Sequence, residues 1–203
     1  MSAEDEHQMV LDALRTAGLA LSSLGELVNM DKAYPEAIPV LLKFLPVVKH
    51  ENVKMAITRS LTVREARGIA AVPLVQAFLK VPEAESAVKW TIGNALAVVA
   101  DDSVYSEISE IVRDKRNGSS REMVVEALGN MKNPGAVDVL IELLSDEEVA
   151  GHAIVALGRL GSEKAQPDIE PFLQHNMPWI AKEAHRALKK IQRKKARDQT
   201  KQD

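Results

Sequence analysis

The sequence predicts an all-α chain built as a stack of antiparallel helix pairs, and three observations carry that reading. A leucine recurs at Leu24, Leu61, Leu96, Leu128, Leu157 and Leu188, with steps of 35, 32, 29 and 31 residues from Leu61 onward. Small or apolar residues stand at fixed offsets before the last five of these leucines. No segment alternates apolar and polar residues as a half-buried strand does.

The offsets define one helix of each pair. One residue before the leucine stands Ser60, Ala95, Ala127, Ala156 or Ala187. Four before it stands Ile57, Ile92, Val124, Ala153 or Ala184, and eight before it Val53, Val88, Ser120, Val149 or Ile180. These spacings put all of them on one stripe of an α-helix, so the stripe is a buried face. The other helix of each pair reads Ala37–Phe44, Ala71–Phe78, Ser103–Ile111, Ala136–Leu143 and Ala165–Phe172. Pro39, Pro73 and Pro167 share an early position there, where a missing amide hydrogen costs little. Gly129, Gly158 and the Asn133-Pro134-Gly135 turn are expected to end the preceding helices.

The coarse plan is a single array over residues 1–203, with an opening helix at about 7–29. Five pairs follow at about 35–62, 70–99, 103–132, 135–161 and 165–192, and a basic tail over 193–203. A helix pair alone leaves an apolar face exposed, so stacking creates the core and the terminal helices act as caps.

Composition narrows the function. Hydrophobic residues make up 46% and charged residues 27%, the balance of a globular chain. Aromatics are only 3%, so Ala, Leu and Val must fill the core, as they do between closely packed helices. A formal net charge of −3 argues against a general nucleic-acid surface. The absence of cysteine excludes thiol catalysis, disulfides and thiolate metal sites. The acidic start (Glu4, Asp5, Glu6) is unlike a signal peptide, and no apolar run is long enough to span a membrane. A cytoplasmic chain with no membrane contact is the expectation.

Two strings carry a family resemblance. Ala153-Ile-Val-Ala-Leu-Gly-Arg-Leu-Gly161, followed by Ala165 and Pro167, resembles a HEAT repeat in its short form. So does Arg121-Glu-Met-Val-Val-Glu-Ala-Leu-Gly129, followed by Ala136-Val137. This short form is similar to the repeats of the phycobiliprotein-lyase type, whose pattern is Val-Arg, two small residues, then Ala-Leu-Gly. Val53-Lys54 and Val88-Lys89 match its basic version and Arg121 keeps the arginine, whereas Ala150 and Ala181 break any continuous basic ladder. The resemblance covers about residues 15–192 and implies a right-handed α-α superhelix, a HEAT-like solenoid whose second helices line a concave surface. One such scaffold serves many partners, so it speaks for fold more than for function.

On that implied surface, the residues two and six before each repeat leucine face outward. They are Met55 and Arg59, Trp90 and Asn94, Glu122 and Glu126, Gly151 and Val155, and Lys182 and Arg186, each couple spaced i,i+4. Trp90, beside Met55, is either a partner anchor or a residue half covered by its own turn. Glu122 and Glu126 read as a solvated acidic patch suited to a basic partner segment rather than an acid–base couple. Of the histidines His7, His50, His152, His175 and His185, none is paired at i,i+4; His152 and His185 fall at similar places in successive repeats. His152 is counted with the partner-facing residues, and no metal or cofactor site is expected.

No phosphate-binding glycine loop or nucleophile motif is present. The basic run Lys189, Lys190, Arg193, Lys194, Lys195 and Arg197 reads as a solvated helix end favoured by the negative helix pole. Contact with nucleic acid or an anionic surface is its other reading.

The expected function is a scaffold or adaptor binding a protein or peptide, not an enzyme. The resemblance leaves an alternative: an enzyme or enzyme subunit on a HEAT scaffold, either pigment-lyase-like or similar to the DNA glycosylases of this fold. A repeat module with no activity of its own is a third possibility.

Overall fold

The computed structural model describes residues 1–200, and among them every regular element is helical. The chain separates into two compact units, one over Met1–Val104 and one from Tyr105 onward.

The first unit opens with α1 (Ala3–Thr16) and the single turn α2 (Gly25–Val28), then α3 (Ala37–Phe44), α4 (Glu51–Ser60), α5 (Ala71–Lys80) and α6 (Ser86–Val99). The expected opening helix over 7–29 is therefore two pieces. Helix α1 begins earlier because Ser2 Oγ accepts from the Asp5 amide at 3.1 Å while the Asp5 carboxylate accepts from the Ser2 amide at 2.7 Å, a reciprocal cap. It stops because Gly18 adopts φ 96°. That conformation sends the Leu19 and Gly18 amides back to the Leu14 and Arg15 carbonyls at 2.9 and 3.0 Å.

Glu6 on α1 performs a second, long-range task. Its side chain is buried, and it accepts from the Lys49 and His50 amides at 3.0–3.1 Å, just where α4 starts. His50 Nδ1 lies 3.1 Å from the same carboxylate. Burial opposes ionisation of Glu6, but these amides and His50 prevail and hold its pKa below the usual carboxylate value.

The second unit contains α7 (Tyr105–Arg113), α8 (Glu122–Leu128), α9 (Gly135–Glu142), α10 (Ala150–Leu160), the short α11 (Gln166–Ile169) and α12 (Pro178–Gln199). The helix expected over Ala165–Phe172 is only half α-helix, with 3-10 turns over Glu163–Ala165 and Glu170–Gln174 on either side of α11. Pro171 explains the change, since it offers no amide and its ring crowds the carbonyl four residues back. The expected basic tail is largely helix, because α12 continues through Gln199; residues 201–203 lie outside the described residues.

The repeat leucines and their stripe behave as the spacing predicts. Leu61, Leu96, Leu128 and Leu157 are fully buried and Leu188 nearly so, and every residue one, four and eight positions before them is buried as well. Helix α4 packs on α6 within the first unit, while α8 packs on α10 and α10 on α12 within the second. Burying a leucine on such a stripe is worth about 1.5–3 kcal/mol.

Glycine sets how closely the second unit packs. A Cβ on Gly129 would lie 3.0 Å from Ala156 Cα, and one on Gly158 would lie 2.8 Å from Ala187 Cα. Each glycine follows a repeat leucine and meets the alanine that precedes the next. Gly158 thus lies inside α10 at a helix crossing rather than at the helix end expected from the sequence; the end is Gly161, at φ 61°.

Two of the three basic positions of the repeat turn inward, while Lys54 is half-buried. Lys89 is buried with Nζ 5.0 Å from the Phe78 ring centroid. Arg121 is 1% exposed and donates to the Gly118 and Val112 carbonyls, to Asp146 at 2.9 Å and to Glu148 at 2.6 Å. These cations hold the repeat together and are not a surface ladder.

Candidate functional site

The outward positions form one face in each unit. In the first, α4 carries Met55 and Arg59 and α6 carries Trp90 and Asn94. Arg59, Trp90 and Asn94 line one cleft of about 410 Å³, together with Val28, Tyr34 and Thr62. Trp90 is 47% exposed, so its indole faces outward as the register predicts. Met55 is half-buried and is not among the cleft walls, so the expected Met55–Trp90 couple gives way to Trp90 with Arg59.

The cleft walls are fixed by internal hydrogen bonds. Tyr34, itself buried, donates its hydroxyl to the Ser60 carbonyl at 3.0 Å. Burial, with Glu65 nearby, raises the pKa of that phenol, which keeps it a donor. Asn94 Nδ2 donates to the Trp90 carbonyl at 3.2 Å. Among the described residues Arg59 has no ion-pair partner, so a guanidinium and an indole are left open over a rigid floor.

In the second unit the equivalent face is closed on itself. His152 Nδ1 lies 3.0 Å from Glu126 Oε1, and Nε2 lies 3.5 Å from Glu122 Oε2. Arg159 donates to the Glu126 carboxylate and carbonyl at 3.1 Å each and to Asn130 at 3.2 Å. The expected open acidic patch is corrected here: both glutamates are half-buried, and the charge of Glu126 is met within the unit by Arg159. Burial works against ionisation of Glu126, and His152 and Arg159 outweigh it, so its pKa lies below the ordinary glutamate value. His152 Nδ1 is engaged with Glu126, and Nε2 faces Glu122.

Trp179 completes this cluster and was not expected from the repeat columns. Its ring centroid is 5.6 Å from that of His152 at a tilt of 55°, and it covers Gly151 so closely that a Cβ there would fall 1.9 Å from the indole. Trp179 lies nine residues before Leu188, outside the positions two and six before the leucine, so the repeat spacing does not mark it. Lys182 and Arg186 are exposed on α12, and Arg186 pairs with Glu183 on its own helix rather than with the α8 glutamates. Among the described residues no three His, Asp or Glu are grouped to hold a metal ion, and no helix is long and apolar enough to cross a membrane.

Comparison with known proteins places a family on part of this framework. Residues 71–150, from α5 to the start of α10, match the model for HEAT repeats. The match is to HEAT repeats in general and does not single out the phycobiliprotein-lyase type. No curated protein matches the chain.

Proposed function

Taking the chain as a HEAT-like repeat protein, we propose that it is a binding scaffold whose first unit holds a protein or peptide segment in the cleft beside Trp90. The observation that carries this reading is an indole 47% exposed next to an unpaired Arg59. Leaving both in water is a poor use of large side chains, whereas Trp and Arg are the residues that most often dominate binding energy. The floor is already ordered by Tyr34 and Asn94, so little side-chain freedom is lost when a segment docks. Arg59 favours a segment carrying a carboxylate, and Trp90 one carrying an apolar side chain.

The role is one of binding rather than catalysis. The face that resembles an acid–base arrangement, His152 with Glu122 and Glu126, is partly engaged by Arg159 and partly covered by Trp179.

The test is peptide selection against the full chain, followed by titration of the selected peptides on variants. Trp90→Ala is expected to lower affinity at least about tenfold while leaving the melting temperature unchanged, as expected for truncating an exposed hot-spot residue. Arg59→Glu should reverse the preference for acidic peptides. Peptides that bind both variants as tightly as the parent chain would sink the proposal.

A further inference from the structure

The longest helix, α12, concentrates positive charge that the rest of the molecule lacks. Over Pro178–Gln199 it carries eight Lys and Arg against two acidic residues, in a chain whose net charge is −3. The helix pole accounts for little of this. Its attraction for cations falls off within the last turn, where only Arg197 stands, whereas Lys190 and Arg193 lie further back.

The cations are also sorted by face. Lys190, Arg193, Lys194 and Arg197 repeat at i, i+3, i+4 and i+7, one stripe about 10 Å long. They line a cleft of about 410 Å³ against α10, and Arg159 contributes from the other wall. Gly158 and Gly161 form part of the lining without side chains; a Cβ on Gly161 would fall 2.8 Å from Lys194 Cδ. Lys195, off the stripe, pairs instead with Glu163 at 2.8 Å.

Of these five cations two are held in place, two have no ion-pair partner and one meets only its neighbour. Lys194 Nζ donates to the Leu160 carbonyl at 2.8 Å, and Arg159 is fixed by Glu126 and Asn130. Among the described residues Lys190 and Arg193 have no ion-pair partner, and Arg197 has only its neighbour Asp198, at 3.7 Å. Like charges at i,i+4 repel, so the stripe is destabilising unless something negative fills the cleft.

We infer that this cleft binds a compact polyphosphate-bearing small molecule. Guanidinium groups grip phosphate oxygens in pairs, and Lys adds a point charge. The walls hold no aromatic ring on which a nucleobase would stack, so the phosphates rather than the bases are what the cleft can read. Its volume lies in the range of small-molecule sites.

The experiment is calorimetric titration of the full chain with sodium tripolyphosphate at near-physiological salt. The double variant Lys190→Gln with Arg193→Gln should weaken binding by about tenfold or more, since two charge-assisted contacts are lost. Lys182→Gln with Arg186→Gln removes equal charge from the same helix outside the cleft and should leave affinity within about twofold, screening being strong at that salt. Circular dichroism of both variants reports that α12 is intact. Equal weakening by the two doubles, no binding of tripolyphosphate, or binding of a single-stranded oligonucleotide without binding of tripolyphosphate would each overturn the inference.

Discussion

Six residues before its leucine, the first unit carries Trp90, and the second carries Gly151. The two faces are otherwise built alike, from the second helices of stacked pairs. In the first, the indole stands out over a floor of Tyr34 and Asn94, and Arg59 beside it is unpaired. In the second, the space above Gly151 is filled by Trp179, and His152, Glu122, Glu126 and Arg159 satisfy one another. A face that satisfies its own charges contributes stability, whereas one that leaves an indole and a cation open retains the capacity to bind. The same register thus yields both, depending on whether one position holds a ring or nothing.

That contrast can be broken most severely at Arg121. Removing it as Arg121→Met leaves Asp146 and Glu148 without their buried cation and orphans the Val112 carbonyl. Loss of about 3 kcal/mol is expected, read as the urea midpoint, because the Val112 carbonyl and the half-buried Asp146 lose their charged donor. A midpoint within error of the parent would show that the second unit is not held by its internal ion pairs.

A smaller effect tests the packing half of the comparison. Gly158→Ala places a Cβ against the Ala187 backbone at 2.8 Å, and overpacking of this kind costs about 1–3 kcal/mol before a helix-propensity gain of about 1. The corresponding residue in the first unit is already Ala97, so Ala97→Gly should lose about 0.5–1 kcal/mol without relieving any clash. Net of that gain Gly158→Ala should lose up to about 2 kcal/mol, and thermal melts of the two variants should both fall. A rise for Gly158→Ala would mean that α10 and α12 have room to separate.

The smallest effect is the pH dependence. The folded pKa of Glu126 lies below its ordinary value of 4.5, and that of Asp146 below 3.8. For Asp146 burial again opposes ionisation and the Arg121 guanidinium overrides it. Their stabilisation is complete above those ordinary values and drains away as pH falls through the lower folded values. Melting temperature should be level from neutral pH down to about 5 and then decline. Glu126→Gln should flatten part of that decline and cost about 1 kcal/mol or less at neutral pH. An unchanged acid slope in Glu126→Gln would remove Glu126 from the closed face.

The helix stripes were legible because each is a local periodicity. Val53, Ile57, Ser60 and Leu61, for example, sit on one side of α4 whatever else the chain does. Trp90, Arg59 and Asn94 were legible for the same reason. What the columns could not carry is who meets whom. The His152–Glu126 contact joins residues 26 apart and the Arg159–Glu126 contact residues 33 apart, so outward position alone made Glu126 look solvated. Trp179 fell between the columns, and Gly158 looked like a helix end because glycine serves both at ends and at crossings. Pro171, by contrast, was a visible signal for the loss of regular helix over Glu170–Gln174, and it outweighed the repeat pattern around it.

The Glu6 cap on α4 has a consequence for how the chain is made. Its acceptor oxygens leave the ribosome 43 residues ahead of the Lys49 amide they will meet. Until that stretch has emerged, α1 carries a carboxylate with no amides to receive; once it has, the contact steadies the entry to α4 by about 1 kcal/mol. The cap therefore ties the start of α4 to α1 only after α3, which also packs on α1, has been made.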